Sequence, residues 1–145
     1  MLLSKSCVYG IRSVIYLTMQ HSQNFVQIKE ISEKLAISFH FLTKILQVLS
    51  QNGLILSFKG PKGGVKLAKP PSEIFLFDVV ITLDGPDIFE ECILGLPGCS
   101  KQEPCPMHSE WTLQREGIKA NFKQTSFAYL ADKIRKEHLR LTDIS

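Results

Sequence analysis

Apolar residues recur with a helical period along the first half of the chain. A serine at position 4 or 6 can cap a first helix, in which apolar side chains return every three to four residues until about residues 20–23. A second, short helix fits residues 28–36. Ser38 is a suitable N-cap for a third helix, which ends at Asn52-Gly53. Two short helices around a brief turn predict a helix-turn-helix.

Two short apolar runs follow the third helix and predict a β-hairpin. The strands are Leu54 to Phe58 and Val65 to Leu67, and the flexible basic turn Gly60-Pro61-Lys62-Gly63-Gly64 lies between them. Two helices followed by a hairpin are typical of a winged helix. The predicted fold class is therefore mainly α with a small β-hairpin wing.

The second half of the chain is predicted to place helices around an irregular loop. A helix from about residue 75 to 83 ends at Gly85. Residues 92–106 contain three prolines, two glycines and three cysteines, which excludes a regular element. Helical spacing returns from about residue 108 to 127, and Ser126 can cap a final helix. We therefore expect a winged helix-turn-helix domain in residues 1–70 and a cysteine-loop sensor and dimerisation region in residues 71–145.

Charge is distributed unevenly between the two halves of the chain. Residues 1–69 contain nine lysines and arginines against two glutamates, a net charge of +7, whereas residues 70–145 contain eight against twelve acids, a net charge of −4. A basic helix-turn-helix half indicates a nucleic-acid surface. The chain has no apolar run that could span a bilayer and no signal-peptide pattern, so we expect a cytoplasmic protein without membrane attachment.

The third helix and the hairpin supply the residues that we expect to contact DNA. Near its N-terminal end the helix would present polar side chains to the major groove, namely Ser38, His40, Thr43, Lys44 and Gln47. In the wing, glycines allow the backbone to approach a phosphate strand, and lysines supply charge. The wing residues predicted to contact DNA are Lys59, Gly60, Pro61, Lys62, Gly63 and Gly64.

Four possible metal ligands lie within seventeen positions in and beside the irregular loop. Cys92, Cys99, Cys105 and His108 are separated by six, five and two residues. In a reducing compartment, such thiols are better explained as metal ligands or redox sensors than as structural disulfides. Thiolates suit iron–sulfur clusters, but a zinc site of three Cys and one His, a metal-free thiol–disulfide switch and incidental loop thiols use the same residues. The spacing alone leaves these alternatives open.

Functions of other classes find less support in the sequence. An enzyme would need a nucleophile with a base, paired carboxylates or a phosphate-binding loop, and GPKGG lacks both the strand-turn-helix context and the GKS/T ending of a P-loop. A cluster carrier that does not bind DNA would share the cysteine loop but not the basic half. We therefore expect a DNA-binding protein and not an enzyme.

Ordered segments of the chain resemble the bacterial IscR, NsrR and CymR family of regulators. These segments are LLSKSCVYGIRSVIYL, ISEKLAISFHFLTKILQVLSQNGLI, FKGPKGGVKLAKPP, DVVITLDGP and CILGLPGCSKQEPCPMHSEW. The resemblance implies a homodimeric winged-helix transcription regulator, a repressor or an activator with repression as the expected mode, that binds double-stranded DNA at a palindromic operator. It also implies that the long helix after the cysteine loop forms the dimer interface. In that helix Trp111, Ile118 and Phe122 form an apolar stripe.

The resemblance further implies a two-iron, two-sulfur cluster held by Cys92, Cys99, Cys105 and His108, through which iron–sulfur, redox or nitric oxide status is sensed. The first cysteine gap is six residues here, where five is usual in the family. NsrR-like members bind a four-iron cluster with an acidic ligand in the first helix, at the position of Val8, and valine cannot ligate iron. The CymR branch carries no cluster. Where Lys59 stands the family often has arginine, so this wing contact keeps its charge but loses a planar fork.

Overall fold

Helices account for most of the chain, together with one hairpin. The computed structural model describes residues 2–20 and 24–142. Its elements are α1 (Lys5–Met19), α2 (Ile28–Leu35), α3 (Phe39–Gln51), β1 (Ile55–Phe58), β2 (Gly64–Leu67), α4 (Leu76–Asp84), α5 (Asp87–Glu90), α6 (His108–Gln124) and α7 (Phe127–Glu137). Among these residues, no helix is both long and apolar enough to cross a bilayer. The prediction of a mainly helical fold with a small hairpin is confirmed.

The helix ends follow the predicted capping residues with one exception. The Ser4 hydroxyl accepts from the Cys7 N–H at the start of α1, and the Ser126 hydroxyl accepts from the Tyr129 N–H at the start of α7. Gly85 ends α4 with a φ of 78°, a value that glycine adopts without strain. Ser38 occupies the N-cap of α3, but its side chain makes no capping hydrogen bond.

A tight turn and a backbone bridge build the winged helix. Ala36 ends α2 in the left-handed conformation, with a φ of 54°, so the chain turns into α3 within three residues. Strands β1 and β2 pair antiparallel, with Ile55 opposite Leu67. Val26, just before α2, exchanges two backbone hydrogen bonds of 2.8 Å with Val65. The wing is therefore joined to the helix-turn-helix by main-chain bonds as well as by packing.

One hydrophobic core is shared by the two halves of the chain. Buried Val14 and Leu46 from the helix-turn-helix belong to the same cluster as Val79 of α4 and Phe127 of α7. Helix α4 contacts both α1 and α3. The division after residue 70 therefore describes two chemistries built around a common core, and it stays a prediction.

A second, smaller cluster connects α1 to the helices that flank the cysteine loop. Cys7, Val80 and Phe89 are buried together, and Ile118 and Phe122 of α6 pack against them. The rings of Phe89 and Phe122 meet edge to face, with centroids 5.8 Å apart. Helix α6 is thus anchored to α4 and α5 within the same chain.

The buried thiol of Cys7 predicts a loss of stability at alkaline pH. Burial, and then the charge of Asp84, raise the pKa of Cys7 from 9.0 to about 12. Since the unfolded chain ionises this thiol near pH 9, the folded state gains stability that is fully present below pH 9 and is lost as pH rises towards 12. We expect the free energy of unfolding, from urea titrations, to fall more steeply over this range in the wild type than in Cys7→Ala. Equal slopes for the two proteins would contradict the assignment.

Candidate functional site

The N-terminal part of α3 presents the predicted DNA-reading residues on its solvent side. Leu42, Ile45, Leu46 and Leu49 are buried on the opposite side. Of the predicted contacts, Thr43 is half-buried, and the exposed residues are Ser38, His40, Lys44 and Gln47. The Thr43 hydroxyl donates to the Phe39 carbonyl at 2.7 Å, so its proton is used within the helix and its oxygen remains an acceptor.

Two exposed aromatic residues beside this surface were missed by the sequence reasoning. Phe39 is 46% exposed and Phe58 is 58% exposed. Both line an open cleft of about 750 Å³ between α3 and the wing, which Gln47 and Lys59 also line. Apolar side chains in such a position can contact the methyl group of thymine. The signal for Phe39 was present, because it lies four residues before Thr43 and therefore on the same side of the helix.

The tip of the wing exposes its charged residues to solvent. The exposed residues there are Lys59, Gly60, Pro61 and Lys62. Gly60 has a φ of 116°, which L side chains rarely adopt, so the turn requires glycine at this position. The tip therefore combines two free-standing lysines with a backbone that can approach a phosphate closely.

The last two glycines of the turn have a different role in the structure. Gly63 is buried, its N–H donates to the Gly60 carbonyl at 2.9 Å, and a Cβ there would overlap the Phe58 carbonyl. At Gly64, where φ is 144°, a Cβ would overlap the carbonyl of Val26. Both glycines thus allow close backbone packing inside the wing. DNA contact by Gly63 and Gly64 stays a prediction.

The four predicted ligands converge at the beginning of α6. The sulfur atoms of Cys92, Cys99 and Cys105 all lie within 4.8 Å of one another. The Sγ atoms of Cys92 and Cys105 are 3.5 Å apart, and Cys99 Sγ lies 3.4 Å from His108 Nδ1. All four residues are half-buried. Three thiols and one imidazole at these separations can surround one metal centre.

Backbone contacts within the loop hold the cysteines in this arrangement. The Cys105 N–H points to Cys99 Sγ at 3.4 Å, and the His108 N–H donates to the Cys105 carbonyl at 3.1 Å. At the other end of the loop, the Gly95 N–H donates to the Cys92 carbonyl at 2.9 Å. A cavity of about 410 Å³ opens beside Cys92 and Cys99. The loop is irregular, as predicted, but its turns are specified by its own hydrogen bonds.

The three thiols of the loop differ in their electrostatic surroundings. Backbone hydrogen bonds, chiefly from Leu96, lower the pKa of Cys92 from 9.0 to about 7. Burial raises the pKa of Cys105. Since the thiolate is the form that binds metal and reacts with oxidants, Cys92 is the residue of this pair that deprotonates more readily. The fourth cysteine, Cys7, is buried in the second cluster, as expected for a packing residue.

The residues predicted for a dimer interface also make contacts within their own chain. Ile118 and Phe122 pack against the second cluster, and the Trp111 indole N–H donates to the Glu91 carbonyl at 2.9 Å. The side chain of Leu113, on the same helix, is 72% exposed. None of the residues of α6 is fully buried within the chain. The role of Trp111, Ile118 and Phe122 in dimerisation stays a prediction.

Comparison with known sequences identifies one family across nearly the whole chain. Residues 3–133 match the family model described as Rrf2, iron-dependent transcriptional regulator. Protein rrf2 of Nitratidesulfovibrio vulgaris is 32% identical over 131 residues, which cover 90% of this chain and 85% of that protein. The HTH-type transcriptional regulator NsrR of Shouchella clausii is 36% identical over 99 residues, covering 63% of this chain and 66% of the relative.

Comparison with solved structures gives the same result. CymR, the global cysteine regulator of B. subtilis, superposes with a TM-score of 0.78 at 25% sequence identity, over 90% of this chain and 95% of CymR. Because the matched family is one of transcription regulators, the winged helix is a DNA-binding element and the chain is not an enzyme. The winged helix-turn-helix, the family match along most of the sequence and the shared fold lead to one conclusion: the chain belongs to the Rrf2 family of transcription regulators.

Proposed function

We propose that this regulator binds operator DNA through α3 and the wing, and that an iron–sulfur cluster held by Cys92, Cys99, Cys105 and His108 controls the binding. The observation that carries the proposal is the convergence of three sulfur atoms and one imidazole nitrogen at the first turn of α6. The description of the matched family as iron-dependent supports it.

The grouping of the ligands favours a two-iron, two-sulfur cluster. Cys92 and Cys105 form one close pair, with 3.5 Å between sulfurs, and Cys99 and His108 form another, with 3.4 Å between sulfur and nitrogen. In a two-iron cluster each iron takes two protein ligands, and imidazole can replace thiolate. A single tetrahedral zinc ion would hold thiolate sulfurs about 3.8 Å apart. Zinc is therefore the second candidate for the same four residues.

The position of the ligands connects this site to the DNA-binding surface. His108 is the first residue of α6, and α6 contacts α4, which in turn contacts α3. A bound cluster supplies a centre that responds to redox state, iron supply and nitric oxide. The four ligand side chains then fix the loop relative to α6. A change at the loop reaches the DNA-reading helix through a single intermediate helix.

A metal-free thiol switch is favoured by one observation and is kept as the alternative function. The sulfurs of Cys92 and Cys105 are 3.5 Å apart, and a disulfide bond of about 2.05 Å requires them to move about 1.5 Å closer. The Cys92 thiolate would attack a peroxide, and Cys105 would then displace the resulting hydroxide to close the disulfide. The two thiols lose two electrons to the peroxide in this reaction.

Metal and sulfide analysis of protein purified without oxygen tests the proposal. We expect two irons and two sulfides per chain in the wild type and in the control Cys7→Ala, and loss of both from Cys99→Ala and His108→Ala. One zinc per chain without sulfide would replace the cluster by a zinc site. Absence of all metal, with operator binding that changes on peroxide treatment, would establish the thiol switch instead.

We also infer that two copies of the chain associate through α6. This helix has 17 residues and buries none of them fully, while Leu113 is 72% exposed. Light scattering should therefore give about twice the monomer mass of 16.4 kDa. Leu113→Glu should shift the protein towards the monomer, whereas Gln114→Glu, which adds the same charge at a neighbouring exposed position, should not. A monomeric wild type, or a dimer unaffected by Leu113→Glu, would exclude this interface.

A further inference from the structure

The end of α5 is held by two side chains of α6. Trp111 Nε1 donates to the Glu91 carbonyl at 2.9 Å, and Arg115 Nη1 donates to the carbonyls of Glu90 and Glu91 at 2.9 and 3.1 Å. Carbonyls in the last turn of a helix have no partner within that helix. Trp111 and Arg115 therefore cap α5 at the point where the chain enters the cysteine loop, and we call this pair the α5 cap.

The spacing of these residues places the α5 cap beside a predicted ligand. His108, Trp111 and Arg115 stand at positions i, i+3 and i+7 of α6, which lie on one side of a helix. The two carbonyls that they bind immediately precede Cys92 in the chain. One helix therefore carries the last ligand of the loop and also holds the backbone beside the first one.

The contacts of Arg115 indicate that its position is set by the backbone of α5. Its hydrogen bonds to residues 90 and 91 run to main-chain carbonyls, so they depend on where the backbone lies. The Nε atom of Arg115 is buried and has no hydrogen-bond partner within the described part of the chain. Because a buried donor without an acceptor costs free energy, solvation alone would not select this placement.

We propose that Trp111 and Arg115 are positioning residues, which hold the Cys92 end of the loop against α6 so that Cys92 meets the other three ligands. The identity of the bound group rests on the function proposed above. The α5 cap itself is present in the metal-free chain, so it can be tested without any metal. Residues that orient metal ligands in this way commonly contribute about 10-fold to 100-fold to metal affinity.

The first test measures the mobility of the loop in the reduced, metal-free protein. In the double variant Trp111→Phe/Arg115→Gln, we expect faster deuterium exchange in residues 92–106 and faster alkylation of Cys92 by iodoacetamide, with exchange in α1 to α3 unchanged. Arg115→Lys, which keeps one donor group, should give an intermediate rate. Glu116→Gln, an exposed substitution on the same helix, should match the wild type. Unchanged exchange and alkylation in the double variant would overturn the proposal.

A stability control keeps this test decisive. Should the double variant lose its cooperative thermal unfolding, Trp111→Phe alone is compared with the wild type, because it keeps an aromatic ring and removes only the N–H donor. The same two rates then decide. Faster exchange throughout the chain, without a preference for residues 92–106, would show a general loss of packing and would overturn the positioning role.

The second test measures binding of Co²⁺ through its thiolate charge-transfer absorption. We expect the dissociation constant to rise about 10-fold to 100-fold in the double variant and to stay unchanged in Glu116→Gln. Equal affinity in the double variant and the wild type would overturn the positioning of Cys92. If the wild type itself binds neither Co²⁺ nor a cluster, the proposed ligand set fails, and the exchange rates of the metal-free chain still decide whether the α5 cap holds the loop.

Discussion

Raising the salt concentration from 50 to 200 mM should weaken operator binding by about three to five orders of magnitude. Residues 1–69 carry a net charge of +7, and Lys44, Lys59 and Lys62 are exposed on α3 and the wing. If a dimer neutralises roughly 6 to 10 phosphates, release of condensed counterions produces a loss of this size. Fluorescence anisotropy with a labelled duplex from the promoter of its own gene would measure it.

Lysine variants separate the two parts of this interface. Lys59→Ala in the wing should weaken binding to all duplexes alike and reduce the salt slope by about one, as expected for a phosphate contact. Lys44→Ala on α3 should cost about 1 to 3 kcal/mol, mainly on duplexes with the preferred bases, if it reads a base edge. Lys136→Ala on α7 removes the same charge outside the winged helix and should have no effect. Salt-independent affinity, or equal losses in all three variants, would contradict DNA binding by this surface.

Much of the winged helix was predictable because its elements have clear periods. The residues of α3 expected to face inward, Leu42, Ile45, Leu46 and Leu49, are all buried. The two short apolar runs after α3 do pair as β1 and β2. Serine at the helix starts was informative at Ser4 and Ser126, where the hydroxyl bonds the backbone, but not at Ser38. A cap residue can be read from sequence, while its hydrogen bond depends on the rotamer that the fold leaves available.

Helix α5 and its cap could not be read from the sequence. Four residues are too few to show a helical period, and Asp87–Glu90 stands next to a loop rich in proline and glycine. The cap joins residues 20 to 25 positions apart and ends on main-chain carbonyls, which leave no trace in side-chain patterns. The apolar stripe of α6 has a related ambiguity. Periodicity shows that Ile118 and Phe122 need burial, but only the fold shows that Phe89 covers part of this surface.

The candidate metal site was predictable in composition but not in geometry. Cysteine and histidine spacing predicted four ligands, and the structure brings their atoms together. It could not give the pairing of Cys92 with Cys105 and of Cys99 with His108, because that pairing follows from turns made by backbone hydrogen bonds. The low pKa of Cys92 has the same origin, since it depends on N–H groups of residues 94 and 96.

Cluster-loaded protein should bind its operator about five- to 150-fold more tightly than cluster-free protein. The physical reason lies in the path from the loop through α6 and α4 to α3. When the four ligand side chains are tied together, the loop fixes the direction in which α6 leaves His108, and so the separation of the two DNA-reading helices of a dimer. An error in that separation costs base contacts worth about 1 to 3 kcal/mol each.

Operator titrations of loaded and stripped protein, made without oxygen at one salt concentration, measure this coupling. Cys99→Ala and His108→Ala should bind like the stripped wild type whether or not iron and sulfide are supplied. Cys7→Ala, which removes a thiol outside the loop, should respond to loading as the wild type does. Because binding linkage is reciprocal, operator DNA should also slow the loss of cluster from the loaded protein. Equal affinity of loaded and stripped protein for every operator would mean that the four ligands stabilise the loop without controlling DNA binding.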